Sequence, residues 1–334
     1  MSIMKKNIFA NNLTQLALRP EVTLIIATAL IATFFTQVAP QFSSVSNLQN
    51  IGRWIGTYGF MTMGAMFALL GGGIDLSIGS VVAFSSLILA HSIENMGLDW
   101  LTAIFITLLI AASIGALHGL FVSRFSPPLP QIVPAFLITL ITQLSLRGVS
   151  QFWTKGYPIV LTKAQIPELI FLGNGNIAGV PVPLLLTLIV LTMSLVILNF
   201  SVIGRHIYAV GGNLEAAIVT GIKVRRVRVF CYSMSSILAA MTGIIITARL
   251  SSAYPGIGVG YELQAITASV LGGVSLVGGE GLPFGVILGV TLMTVIENGL
   301  VVMNVSPYLH LIIIGLLLAI AVSIDFLKRG RARR

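Results

Sequence analysis

The sequence predicts an all-α, polytopic membrane bundle of about ten transmembrane helices, and three observations predict it. Charged residues make up 9% of the 334 positions and hydrophobic residues 56%, whereas soluble domains carry about 25% charge. No lysine or arginine falls between Trp54 and Ser123, and Arg249 stands alone between Val229 and Leu327. Stretches such as VTLIIATALIATFF and HLIIIGLLLAIAVSI are apolar without alternation. A membrane barrel would alternate with period two, so helices are left to satisfy the backbone in lipid.

With about 20 apolar residues per span, helices are expected at 21–40, 54–72, 75–93, 100–122, 131–148, 182–200, 229–248, 262–277, 283–303 and 308–326. The first run is too long for a signal-peptide core and is expected to remain as a membrane helix. The stretch 131–148 carries Gln131, Gln143 and Arg147, and 262–277 is short and interrupted by glycine. An even number of spans puts both termini on one side. With that side in the cytoplasm, 14 of the 19 basic residues lie inside. These are Lys5, Lys6, Arg19, Arg124, Arg205, Lys223, Arg225, Arg226, Arg228, Lys328, Arg329, Arg331, Arg333 and Arg334. Arg53, Arg147, Lys155, Lys163 and Arg249 fall outside, the asymmetry expected of a multi-pass protein. Trp54, Trp100 and Trp153 lie near the outer boundary, where amphipathic rings anchor.

The chain therefore reads as one membrane domain over 1–334, with a cytoplasmic segment 1–20, an outer loop 149–181, a cytoplasmic loop 201–228 and a basic tail 327–334. The net charge of +9 is explained by this inward bias, and no nucleic-acid partner is expected. Cys231 is single and forms no internal disulfide.

Catalytic chemistry is not indicated. There is no GxxxxGK[ST], no HExxH, no Cys/His cluster and no GxSxG, and the four histidines lie on four separate segments. No catalytic residue, metal site or bound cofactor is expected, and this chain holds no ATP through a P-loop. A membrane protein of this kind moves or senses something.

The cytoplasmic loop is the most informative polar piece. Gly211 and Gly212 offer a turn, Asn213 an N-cap, and LEAAIVT two helical turns. Glu215 sits where the helix dipole favours an acid, and Gly221 where the helix should stop. A helix this short needs a surface to rest on. Ala216 and Ala217 suit either the groove of another protein or a lipid surface.

Two glycine-rich turns interrupt apolar runs. In GGGIDLSIGS, Asp75 is expected at the inner turn between the second and third helices. A carboxylate at the bilayer centre costs about 2.5–3.5 kcal/mol, so Asp75 should be hydrogen-bonded within protein or solvated, one solution being a cap on the next helix through the amides near Ser77 and Ile78. Gly72, Gly73 and Gly79 would permit unusual backbone and close helix approach. The motif is either an architectural cap or a moving part that meets ligand. In GGVSLVGGEGLPFG, Gly272, Gly273, Gly278 and Gly279 form a second inner turn, with Glu280 in the role of Asp75 and a hint of internal repetition. Gly281, Gly285 and Gly289 follow as a small-residue face. Tyr261, Glu262, Glu297 and Asn298 are candidates for pore lining or for a helix clamp, the clamp favoured for Glu297 and pore lining left open for Asn298.

These segments resemble a known family. GGGIDLSIGS is similar to the GGIDLSVGS signature of the ribose-type branch of bacterial ABC importer permeases. YAVGGNLEAAIVTGI resembles that family's YAxGGNxxAAxxxGI, GYELQAITASVLGGVSLVGGEG its GYELxxIxAxVLGGxSLxGGxG, and LSLRGVSQFWTKGYPI its LRGxxxxxTxGxPI. VIENGLVVMNVSPY resembles the tail of ribose and arabinose permeases, so the likeness runs through nearly the whole chain. The resemblance implies a bacterial inner-membrane subunit importing a monosaccharide or a ribose-derived signal molecule. It implies three partners: a second permease subunit, identical or a sister; a two-copy or duplicated-domain cytoplasmic ATPase that holds ATP and Mg; and a periplasmic or lipid-anchored sugar-binding protein. Carried over by position, Gly211, Gly212, Asn213, Glu215, Ala216, Ala217 and Gly221 would form the coupling helix seated in the ATPase. Ile218, Val219 and Thr220 depart from relatives that often place an arginine there, and Gly71 replaces a common serine or threonine. The rival readings are an ion-coupled secondary transporter with Asp75, Glu280 or Glu297 as proton relays, and a passive channel, for which the 211–221 lever would be pointless.

Overall fold

The computed structural model describes residues 20–125, 132–162 and 166–332. Readings that rest on Lys5, Lys6, Arg19, Gln131, Lys163, Arg333 and Arg334 lie outside them. Among the described residues the helices run α1 Pro20–Val38, α2 Val45–Leu70, α3 Ile78–Glu94, α4 Trp100–Phe125, α5 Ile132–Thr154, α6 Pro167–Asn174 and α7 Val182–Phe200. They continue with α8 Val202–Gly212, α9 Leu214–Val219, α10 Val224–Leu250, α11 Tyr261–Leu271, α12 Pro283–Val302 and α13 Pro307–Ala332. By length and composition α1 from Glu21, α4, α7, α10 and α12 are able to cross a membrane. The fold is the all-helical polytopic one that the apolar runs predict.

Several boundaries differ from the sequence reading. The second helix starts at Val45 rather than at residue 54, because Ser44 Oγ accepts from the Asn47 amide at 3.3 Å and caps a polar first turn. The helix expected over 262–277 stops at Leu271, and the one expected from residue 75 starts only at Ile78. Gly211 and Gly212 do not form a turn but end α8, which had not been foreseen. The loop over 149–181 also holds short strands, β1 (Ile159–Val160), β2 (Asn176–Ile177) and β3 (Val180–Pro181). Residues Ile159 and Val160 pair antiparallel with β4 (Ser252–Ala253), and β2 pairs with β3 as a hairpin.

Helix α10 is the central post, packed by α2, α3 and α4. Lipid supplies no hydrophobic force between helices, so close approach of small residues carries the packing. A Cβ added at Gly115 or Gly119 of α4 would collide with the α10 backbone at Tyr232–Ser233 or Arg228–Val229. Gly64 of α2 is pressed in the same way against Ser235, and Gly243 of α10 against the Val82 carbonyl of α3. Phe60, Met63 and Phe67 of α2 join Leu238 and Ile245 of α10 and Val286 of α12 in one buried cluster.

Gln143 and Arg147 of α5 face protein. Gln143 Nε2 donates to Glu262 Oε1 at 3.0 Å, and Arg147 donates to the carbonyls of Pro255 and Ile257 at 2.6 and 2.7 Å. This latch ties the connection between α10 and α11 to α5. In the connection before α4, Asp99 accepts from the Thr102 amide at 2.9 Å and its hydroxyl at 2.6 Å. These two bonds hold the Asp99 carboxyl below its usual range.

Candidate functional site

Both glycine-rich turns begin with the same device. Helix α2 stops with Gly72 at φ 81°, the Gly73 amide donating to the Ala68 carbonyl at 3.0 Å and the Gly72 amide to Leu69 at 2.8 Å. Helix α11 stops with Gly273 at φ 88°, the Val274 amide donating to Ser269 at 3.0 Å and the Gly273 amide to Val270 at 2.9 Å. This Schellman arrangement needs a left-handed residue just past the helix, which glycine supplies without strain.

After the stop the two turns diverge. Residues 73–77 form a non-helical connection that runs back along α10, so Asp75 is not at the turn itself. It lies beside Ser235, roughly 16 Å along α10 from Val224. Asp75 is 2% exposed. Its Oδ1 accepts from the Ser77 amide at 2.9 Å and the Ser77 hydroxyl at 2.6 Å, and its Oδ2 accepts from the Ser235 hydroxyl at 2.7 Å. The cap expected from Ile78 is absent from this arrangement, and Ser77 occupies the N-cap of α3 without accepting a capping bond on its side chain. Thr139 of α5 accepts from the Leu76 amide at 3.1 Å, and its hydroxyl is shared between the Ala135 carbonyl of its own helix at 2.8 Å and the Ile74 carbonyl at 3.3 Å. At the break, Thr139 of α5 serves backbone groups and Ser235 of α10 serves the Asp75 carboxylate, partners that a break inside lipid requires. A Cβ at Gly79, the second residue of α3, would strike the Gly258 carbonyl and the Glu262 carboxylate.

Glu280 does not repeat this role. It is exposed, and only its backbone carbonyl is engaged, by the Ser275 amide at 2.9 Å. The turn it ends stays near α8 and α9 instead of folding back. Its glycines serve contact: the Gly279 amide donates to the Leu70 carbonyl at 3.1 Å, and a Cβ at Gly278 would strike Gly72. A Cβ at Gly211 would strike the Leu70 carbonyl and the Gly279 amide. Three backbones, the ends of α2 and α8 and the turn after α11, therefore meet at bare glycine. Further along, Gly272 abuts Gly285, and Gly289 abuts the Ala268 carbonyl, which binds α11 to α12.

Helix α9 follows directly on this meeting point. Asn213 caps it, its Oδ1 accepting from the Ala216 amide at 3.0 Å. Gly221 at φ 80° ends it, with the Ile222 amide donating to Ala217 at 3.0 Å. Glu215, Ala216, Ile218 and Val219 are exposed. Ala217 and Gly211 are buried within the chain, so neither offers the outward contact expected of it.

The family model for the permease component of branched-chain amino acid transport systems matches residues 47–322. The chain belongs to this permease family. It is 37% identical over 301 residues to the ribose import permease protein RbsC of Haemophilus influenzae, covering 90% of this chain and 91% of that one. It is 38% identical over 286 residues to RbsC of Bacillus subtilis, 86% of each chain. It is 30% identical over 294 residues to the L-arabinose transport system permease protein AraH of Escherichia coli, 88% and 87% of the two chains. No solved structure matches this chain.

In this permease Glu297 and Asn298, neighbours in sequence, point to different helices. The Asn298 side chain is buried and exchanges two hydrogen bonds with Asn47 of α2, at 2.8 and 3.0 Å, so it clamps α12 to α2 rather than lining a path. Glu297 Oε1 accepts from Gln264 of α11 at 2.6 Å, and the acid also lines a cavity of about 280 Å³ between α11 and α13. Tyr261 lines the same cavity, whereas Glu262 is turned toward α5. The permease also relies on residues that no motif marked. Ser235 and Thr139 look like ordinary small polar residues in apolar runs, and only the burial of Asp75 would have called for such partners.

Proposed function

We propose that this permease is the membrane-spanning subunit of an ATP-driven importer for a monosaccharide, a pentose or hexose of ribose type, handed over by a substrate-binding protein. The names of its relatives support the sugar class. The observation that carries the mechanism is α9. Val219 is 87% exposed and Ile218 47%, on a six-residue helix that follows directly on the Gly211–Gly212 end of α8, where the ends of both broken segments meet. A helix so short has little stability of its own, and an apolar tip on it suits a partner's cleft. That partner is a cytoplasmic ATPase, present in two copies or as a duplicated-domain chain, which holds ATP with Mg. This chain holds no nucleotide and hydrolyses nothing. A second permease, identical or a sister, completes the path, and both termini lie in the cytoplasm. ATP binding moves α9, and α8 passes the movement to the turns at 71–77 and 272–282.

A cysteine at Val219 tests this reading. In the complete importer, Val219→Cys should cross-link to the ATPase, and Val219→Asp should lower sugar uptake at least tenfold. A residue 219 labelled only from outside the cell, or never cross-linked in the active complex, sinks the proposal. Uptake that collapses with a protonophore while ATP persists would transfer the chain to the ion-coupled transporters.

A further inference from the structure

Trp54, Tyr58 and Tyr261 form an aromatic run. Trp54 and Tyr58 stack at 5.0 Å between ring centres, and Tyr58 meets Tyr261 edge-on at 5.4 Å. Arg249 lies over Trp54 at 4.0 Å and closes the end of the run nearest the α2 N-terminus. The other end opens into the cavity between α11 and α13, where Gln264, Glu297 and His310 join the two tyrosines. Among the described residues, His310 Nε2 is buried without a hydrogen-bond partner.

This is an unusual lining for a helix pair in lipid. A carboxylate, an amide and an imidazole converge beside aromatic rings, so acceptors, donors and flat apolar faces share one small space. A carboxylate placed there only to hold two helices together would need neither the open volume nor an imidazole with an unused nitrogen. A sugar presents the complement: hydroxyls around its rim and C–H groups on its faces. The volume, about 280 Å³, lies just below the ~300–1,000 Å³ of small-molecule pockets, which suits one sugar ring and not two.

We propose that this cavity is the contact site for the passing sugar. Glu297 and Gln264 bind ring hydroxyls, His310 Nε2 takes a third, and Tyr58 and Tyr261 cover the ring face. The proposal rests on the monosaccharide-import reading and deepens it by naming the protein groups that touch the cargo. Those groups come from α2, α11, α12 and α13, so the site changes shape when the segment joining α11 to α12 moves.

The test uses the whole importer in proteoliposomes, with its ATPase and binding protein. Labelled D-ribose, L-arabinose, D-xylose and D-galactose are offered in turn, and sugar moved is divided by ATP hydrolysed. For the best-transported sugar, Glu297→Gln and His310→Ala should each lower this ratio at least tenfold, and Glu297→Asp should restore part of it. A ratio within twofold of the unaltered protein in both variants overturns the site. That holds whether both rates persist or both fall, since misfolding lowers them together. If the unaltered importer moves none of the four sugars, the import reading fails and the site fails with it.

Discussion

At the scale of single residues, Asp75 shows how a charge is kept inside an apolar bundle. Its two oxygens accept three hydrogen bonds from Ser77 and Ser235, so removing it strands three buried donors. Each unsatisfied buried group costs about 1–3 kcal/mol. Asp75→Ala should destabilise the permease by about 3–5 kcal/mol, seen as a large drop in the thermal midpoint in detergent. Asp75→Asn keeps an acceptor toward Ser77, and the Ser235 hydroxyl can turn to accept from the new amide, so its loss should be about 1 kcal/mol. Equal losses in the two variants would mean that the charge itself matters, not the acceptors. The acid was legible in the sequence, because a lone carboxylate in such a run demands partners. Its partner on α10 was not, since Ser235 lies 160 residues away in an unremarkable stretch. Glu297 and Asn298 show a similar limit: neighbours on a helix differ by about 100°, and sequence alone does not say which faces a cavity and which faces α2.

At the scale of elements, glycine decides where helices stop and how near they come. The stops at Gly72 and Gly221 were readable because positive φ is glycine's territory, whereas the helix expected over 262–277 ran past Gly273. The role of Gly211 was misread. A Gly-Gly pair suggests a turn by propensity, yet α8 continues through it because the Leu70 carbonyl leaves no room for a side chain. Gly211→Val should therefore force α8 away from α2. The expected outcome is an importer that still assembles and hydrolyses ATP but moves at least tenfold less sugar per ATP. Gly289→Leu is the counterpart for α11 and α12, where a side chain would meet the Ala268 carbonyl. Overpacking of this kind costs roughly 1–3 kcal/mol or more, and a lowered thermal midpoint checks it.

At the scale of the whole molecule, the long apolar helices and the lopsided distribution of basic residues made the architecture readable, because lipid allows so few solutions. The outer strands and α6 were not readable, being too short to carry a period. The proposed orientation has a direct check. Tyr157, 72% exposed in the outer loop, and Val219 should lie on opposite sides of the membrane. A membrane-impermeant maleimide should label Tyr157→Cys on intact cells, and Val219→Cys only after the cells are opened. The reverse pattern would turn the molecule upside down and place α9 beyond the reach of any cytosolic engine.

The bare contact among Gly211, Leu70 and Gly279 has one more implication. Main chain pressed on main chain has no rotamers to yield, so it neither cushions nor rescales what reaches it. If α8 drives the two turns as proposed, the stroke has one length, set by covalent geometry, and discrimination among cargoes falls to the groups that touch them rather than to the drive.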